Sequence, residues 1–119
     1  MSYDIYLVDP VTRETLLADN NHHMTGGTYR VGGTRELHLN VTYNYSNYLQ
    51  RFIDEEKGIR YIYGMSGIES IPVLKGAIRK LSDDTSDDYW ESTEGNVKRA
   101  LIKLLTIAEM RPDGVWDGD

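Results

Sequence analysis

The sequence predicts an α+β fold, in which a small antiparallel sheet in the N-terminal third is packed by about three helices. Two kinds of periodicity lead to this prediction. Residues 36–43 alternate apolar and polar side chains, as a strand with one buried face does. Residues 45–53 and 97–108 repeat their apolar side chains at intervals of three and four, which is typical of amphipathic helices. Because the strand patterns come before the helical ones, we expect an α+β domain.

The size of the chain suits one domain. Its 119 residues can bury a core without disulfides or a structural metal, so we expect a single domain over residues 1–119. The absence of cysteine excludes disulfides, thiolate nucleophiles and cysteine-ligated zinc. The N-terminus lacks a basic region followed by a long apolar run, and no stretch is long enough to span a bilayer. These features predict a cytoplasmic protein without membrane contact.

The N-terminal segments predict a hairpin followed by a loop. Residues 3–8 are rich in β-forming side chains, and residues 9–12 (Asp-Pro-Val-Thr) supply turn chemistry. We therefore expect a strand that turns and returns antiparallel over residues 13–17. Residues 18–27 contain adjacent asparagines and adjacent glycines, and this composition predicts a polar loop.

A short phrase, Gly-Gly-Thr, occurs at residues 26–28 and again at 32–34. It predicts two turns around a short strand, because paired glycines permit positive φ and no Gly-Lys-Ser/Thr follows to form a phosphate loop. The clearest strand comes next, over residues 36–43. Its apolar face is expected to meet the core and its polar face to meet water or a partner. The predicted core-facing residues are Leu37, Leu39, Val41 and Tyr43.

The C-terminal two thirds predict helices. The first covers residues 45–53, and a β-prone connector follows over residues 59–63. A second helix is expected to begin near Ser70 as its cap, with Pro72 in the first turn.

The third predicted helix has the strongest periodicity, over residues 97–108, with Thr93 or a neighbour as its cap. It should end before Pro112, since proline disfavours helical geometry in the residue that precedes it. We expect Trp116 to act as a hydrophobic latch against the core, because a loose tail would leave a large apolar side chain in water.

The charge of the chain points to the kind of partner it binds. A formal net charge of -6 disfavours direct binding of nucleic acid and favours partners with a basic surface. Much of the negative charge lies between residues 83 and 94, where aromatic side chains interrupt the acids. Charge steers association and aromatic area anchors it, although a solvated loop is the alternative. The predicted partner-binding residues are Asp83, Asp84, Asp87, Asp88, Tyr89, Trp90 and Glu91.

No catalytic apparatus is predicted. The histidines lack a serine or cysteine partner in a recognisable signature, and His-Glu-x-x-His does not occur, so we expect a protein that is not an enzyme and needs no cofactor. The alternative is a small-ligand or metal-binding protein that uses the loop over residues 22–34. Zinc could be held by His22 or His23 together with His38 and a carboxylate such as Glu36 or Asp19, because neutral imidazole and carboxylate both suit that ion. A nucleotide could stack beside Tyr29, Arg30 and Arg35.

Four phrases carry a resemblance to a known group: Gly-Gly-Thr-Tyr at 26–29, Leu-Asn-Val-Thr-Tyr-Asn-Tyr at 39–45, Thr-Glu-Gly-Asn at 93–96 and the nine residues at 111–119. Across nearly the whole chain the sequence resembles small acidic proteins of bacteriophages, prophages and mobile elements. The resemblance brings no catalytic motif. It implies a setting, the cytoplasm of a host cell, in which such proteins disarm host defences, as anti-CRISPR proteins do when they block an effector nuclease. A phage assembly component that self-associates through exposed tyrosines is a further alternative.

Overall fold

The computed structural model describes residues 1–27 and 31–119. It confirms the predicted α+β fold. The described residues form five strands and three α-helices, which in chain order are β1 (Ser2–Val8), β2 (Leu17–His22), β3 (Thr34–Glu36), β4 (His38–Thr42), α1 (Ser46–Phe52), α2 (Gly67–Lys80), α3 (Glu94–Met110) and β5 (Val115–Gly118).

The main sheet is antiparallel, with β1 between β4 and β5. Its register places Ile5 opposite Leu39 on one side and Leu7 opposite Trp116 on the other. Strand β5, which was not predicted from the sequence, brings residues 115–118 back to the first strand. The first strand of the sheet therefore pairs with a strand from each of two distant parts of the chain.

The predicted N-terminal hairpin is partly formed. Thr15 makes an isolated antiparallel bridge with Val8, and the backbone N–H of Leu16 donates to the carbonyl of Leu7 over 2.9 Å. The chain then leaves β1, and β2 pairs with β3 in a separate two-stranded sheet. The prediction of a loop over residues 18–27 is wrong for the residues of β2, which pair through their backbone although most of their side chains are polar and exposed. The short strand predicted around residues 29–31 falls mostly on residues 28–30, outside the described residues.

The strand predicted over residues 36–43 is split between β3 and β4, and its apolar face enters the core as expected at Leu37, Leu39 and Val41. The opposite face does not simply meet water, since Asn40 and Thr42 are also buried. The Asn40 amide donates to the Ser2 hydroxyl over 2.6 Å and to the Asp4 carboxylate over 2.9 Å, both on β1.

Two predictions about the middle of the chain are wrong in detail. Residues Gly58–Ile62 form a 3₁₀ turn where the sequence predicted a β-prone connector. Helix α2 begins at Gly67, three residues before Ser70, because Ser66 and Glu69 form a reciprocal capping box. The Ser66 hydroxyl accepts from the Glu69 backbone N–H over 3.1 Å, and the Glu69 carboxylate accepts from the Ser66 N–H over 3.0 Å.

Ser70 lies in the first turn of α2, fully buried, where its hydroxyl donates to the carbonyl of Gly67 over 2.8 Å. The same hydroxyl accepts a hydrogen bond of 2.7 Å from the indole N–H of Trp116. Trp116 is also fully buried, which confirms the predicted latch. Helix α3 confirms its prediction as well: it is capped by Thr93 and ends before Pro112.

The core lies between the main sheet and the helices. It contains the inward side chains of β1 and β4, the apolar faces of α2 and α3, and Trp116 from β5. Helices α2 and α3 pack against each other, and the segment that connects them lies on the surface beside α3 and the end of β4. No helix in the described part of the chain is long and apolar enough to cross a membrane.

Candidate acidic binding surface

The candidate site is the connection between α2 and α3 over residues 83–91, hereafter the acidic segment. Its carboxylates face outward. The exposed acids are Asp83, Asp84, Asp87, Asp88 and Glu91. Asp83 makes an ion pair of 2.8 Å with Lys98 on α3, and this hydrogen bond holds the pKa of Asp83 below its usual value. The remaining acids leave a cluster of negative charge on one exposed segment.

The side chain of Asn96 holds the backbone of the acidic segment through hydrogen bonds. Asn96 lies in the first turn of α3 and is 4% exposed. Its amide nitrogen donates to the carbonyls of Asp88 and Glu91, each over 3.0 Å, and its amide oxygen accepts from the N–H of Ser86 over 3.1 Å. One buried side chain therefore satisfies three backbone groups of a segment that has no regular secondary structure.

The start of α3 also holds the acidic segment closely. The N–H of Gly95 donates to the carbonyl of Asp84 over 2.9 Å. A Cβ atom at Gly95 would lie 2.4 Å from Cγ2 of Thr85 and 2.7 Å from the carbonyl oxygen of Asp84. This close approach of two backbones requires glycine at this position.

Tyr89 anchors the other side of the acidic segment to β4. Its hydroxyl donates to the carbonyl of Asn40 over 3.1 Å and accepts from the N–H of Thr42 over 3.2 Å, while its own carbonyl accepts from the hydroxyl of Tyr45. Burial raises the pKa of Tyr89. Its ring covers Gly27, where an added Cβ would lie 2.6 Å away. The Tyr89 hydroxyl thus satisfies two backbone groups on the free edge of β4.

Trp90 points outward beside the acids and is 49% exposed. Its ring meets the ring of Tyr89 edge to face, with centroids 5.0 Å apart. Its backbone is fixed at both ends, because its N–H donates to the Asp88 carboxylate over 3.0 Å and its carbonyl accepts from the Asn44 amide over 2.9 Å. A large aromatic surface is thus presented to solvent from a fixed backbone.

Of the predicted partner-binding residues, the five acids and Trp90 are accessible, while Tyr89 is mainly an internal anchor. The acidic segment is therefore an ordered surface with carboxylates and one indole ring on its outer side. Such an arrangement can attract a positively charged surface and offer it apolar contact area.

The histidines predicted as zinc ligands contact different partners. The His22 ring accepts from the N–H of Met24 at Nδ1 over 3.2 Å, and its Nε2 lies 2.7 Å from the carbonyl of Glu36. His38 stacks on Tyr6, with centroids 4.4 Å apart, and its Nε2 lies 3.2 Å from the Asp4 carboxylate.

The His23 ring lies near the backbone of residue 33. Within residues 1–27 and 31–119, no group of three or more histidine or acidic side chains is placed to hold a metal ion. Zinc binding stays a prediction.

The alternative nucleotide site is described in part. Arg35 donates from Nε to the carbonyl of Ala18 over 2.9 Å, a contact that ties β3 to β2. Tyr29 and Arg30 lie outside the described residues. The nucleotide prediction therefore stays open.

Comparison with known protein families, with curated proteins and with solved structures finds no match to this chain. The resemblance to proteins of phages and mobile elements stays a prediction.

Proposed function

We propose that this protein is a non-enzymatic inhibitor that binds a basic surface of another protein through the acidic segment. The observation that carries the proposal is the exposure of four carboxylates and the Trp90 ring on one segment whose backbone is held by internal hydrogen bonds. The four are those of Asp84, Asp87, Asp88 and Glu91, and none of them makes an ion pair among the described residues. In the phage setting implied by the sequence resemblance, the partner is a host defence protein, and an effector nuclease of the CRISPR type has the required chemistry. Its nucleic-acid groove is lined by cations, for which clustered carboxylates compete with phosphate.

The bracing of the acidic segment favours tight binding. A flexible loop loses conformational freedom when it binds, and each side chain or loop that becomes ordered reduces the affinity. Here the contacts of Asn96, Tyr89 and Gly95 already fix the backbone. The backbone of the acidic segment therefore loses its conformational entropy mainly during folding. Less of the electrostatic attraction to a partner is then offset by ordering of the segment on binding.

Trp90 supplies the apolar part of the surface. Aromatic side chains with polar surroundings are enriched among the residues that dominate binding energy. The acids around Trp90 would steer the partner, and the indole would be buried on contact. We expect the acids to control the association rate and Trp90 to control the dissociation rate.

The test uses a purified, guide-loaded CRISPR effector nuclease as the probe and follows its binding of target DNA. The wild-type protein should lower DNA binding, and the variant D84K/D87K/E91K should not. None of these three carboxylates makes a hydrogen bond within the described residues, so the fold should tolerate the change. The matched control, E55K/E56K/E109K, alters three exposed acids elsewhere and gives the same net charge.

The control separates a local surface from overall charge. If both triple variants lose inhibition equally, net charge alone is responsible and the acidic segment is not the binding surface. If neither loses it, the proposal fails. The Trp90→Ala variant should accelerate dissociation, and inhibition by the wild-type protein should weaken steeply with added salt.

A further inference from the structure

A small cavity lies between α3, the acidic segment and the core, hereafter the α3 cavity. Its volume is about 110 Å³. Its walls include Leu39, Tyr45, Ser86, Arg99, Ala100 and Lys103. It lies on the inner side of the acidic segment, whereas Trp90 and the acids other than Asp87 do not line it.

Two cations share the α3 cavity. Arg99 and Lys103 are four residues apart on α3, so their side chains lie on the same face of the helix. Neither makes an ion pair with a carboxylate in the part of the chain that the structure describes. Burial, and then repulsion from Arg99, lower the pKa of Lys103. The structure thus holds an ammonium group in a half-buried position next to a like charge, an arrangement that an anion would relieve.

The remaining polar groups of the α3 cavity favour a ligand that accepts hydrogen bonds. The Tyr45 hydroxyl already donates to the carbonyl of Tyr89, and both amide hydrogens of Asn96 are used by backbone carbonyls. The Ser86 hydroxyl accepts from the N–H of Asp88 over 3.1 Å and retains its own hydrogen for donation. Among the described lining residues, the side-chain donors left for a ligand are therefore those of Ser86, Arg99 and Lys103.

One acid also borders the α3 cavity. Asp87 contributes to its wall and makes no ion pair with either cation among the described residues; Asp87 and Arg99 are both exposed, and Lys103 is half-buried. Two cations and one solvated carboxylate leave the cavity with a net positive charge. Leu39 and Ala100 supply apolar wall on the core side.

We propose that the α3 cavity binds a small organic anion, with its carboxylate or phosphate group held by Arg99 and Lys103 and its few carbon atoms against Leu39 and Ala100. The volume limits the size of the ligand. A cavity of about 150 Å³ accommodates benzene, so this smaller one takes an anion of only a few heavy atoms. The inference does not depend on the inhibitor proposal, since it concerns the inner side of the acidic segment.

The test is a titration of the folded protein with sodium phosphate in one series and with sodium propionate or butyrate in another, followed by amide chemical shifts. Concentrations up to about 20 mM would saturate a site with a millimolar Kd. We expect saturable shifts centred on residues 86–89 and 96–103. Saturation by phosphate alone or by a carboxylate alone identifies the anionic group, and either result supports the proposal.

Two variants make the test specific. Lys103→Met and Arg99→Gln should each weaken binding by about tenfold or more, because each removes charged donors to the anion. The control Lys75→Met changes an exposed lysine on α2 and should bind as the wild type does. A thermal melt of each variant shows that it is folded.

Three results would overturn the inference. The first is no saturable shift with either phosphate or the carboxylate. The second is unchanged affinity in both Lys103→Met and Arg99→Gln. The third is a set of shifts spread equally over every basic surface residue, which would indicate screening by salt without a site.

Discussion

The side-chain amide of Asn96 donates to the backbone carbonyl of Asp88 over 3.0 Å, and this contact joins the start of α3 to the middle of the acidic segment. Asn96 is buried, while Asp88 is exposed. Asn96, which a binding partner cannot reach, therefore sets the position of Asp88, which a partner can reach. Such an arrangement couples the stability of the fold to the shape of the acidic surface.

Replacement of Asn96 by alanine should destabilise the protein by about 2 kcal/mol, because the N–H of Ser86 loses its acceptor and the carbonyls of Asp88 and Glu91 each lose one of two donors. Urea unfolding would measure the change. The control is Asn20→Ala in the exposed strand β2, where the change should stay within about 0.5 kcal/mol. Equal stabilities of the two variants would mean that the acidic segment holds its shape without Asn96.

Two glycines offer a test of the close approach between α3 and the acidic segment. Gly95→Ala should cost about 1–3 kcal/mol of unfolding free energy, because the new Cβ would collide with Thr85 and the backbone of Asp84. Gly76→Ala is the matched control in α2, where a Cβ meets nothing within 4 Å. It should stabilise the protein by up to about 1 kcal/mol, since alanine is the better helix former. A gain in stability at both positions, measured by thermal or urea unfolding, would contradict the observed packing.

The hydrogen bond from Trp116 to Ser70 makes a third prediction. Ser70→Ala should cost about 1–3 kcal/mol, because a buried indole N–H loses its acceptor. In a Trp116→Phe background the same serine replacement should cost less, because no indole N–H is left unpaired. The loss of the serine's own bond to Gly67 occurs in both backgrounds and cancels in the double-mutant cycle. Additive effects in urea unfolding would show that the bond contributes nothing.

The sequence predicted the fold class because the strong periodicities of β4, α1 and α3 reflect burial in one core. It missed β2 and β5 for different reasons. In β2 the side chains are mostly exposed and polar, and the strand pairs with β3 through its backbone. Its sequence therefore shows no alternation of apolar and polar residues. In β5 four residues are too few to show a period, although Trp116 was correctly expected in the core.

The acidic segment was recognisable from its charge, but its anchors were not. Asn96 lies in the first turn of α3, where Thr93 as the N-cap already accounted for the polar residues of the helix start. Its three side-chain bonds are made to residues five to ten positions earlier, and no helical or strand period reports such contacts. The capping box of α2 could have been predicted from the sequence, because Ser66 and Glu69 are three residues apart and precede an apolar run.

Lys103 makes a prediction about pH. Burial and Arg99 lower the pKa of Lys103 in the folded state, so the folded protein binds fewer protons than the unfolded chain between the two pKa values. Stability should therefore increase as pH rises through the lowered pKa, where the folded state loses an unfavourable charge and the unfolded chain keeps it. At neutral pH both states are charged and the penalty is fully present.

Lys103→Met should accordingly be more stable than the wild type near pH 7, and this advantage should shrink as pH rises towards about 10, the usual range of lysine. The titratable groups that line the α3 cavity together with Lys103 are Arg99, Asp87, Tyr45 and Tyr89. Burial raises the pKa of both tyrosines, which makes the protein less stable at high pH.

That tyrosine effect is common to the wild type and Lys103→Met, so the difference between their urea midpoints, measured from about pH 7 to about pH 10, isolates the lysine. Lys75→Met, on the exposed face of α2, should show no such trend. A stability difference that stays constant with pH would mean that Lys103 carries no penalty in the folded protein.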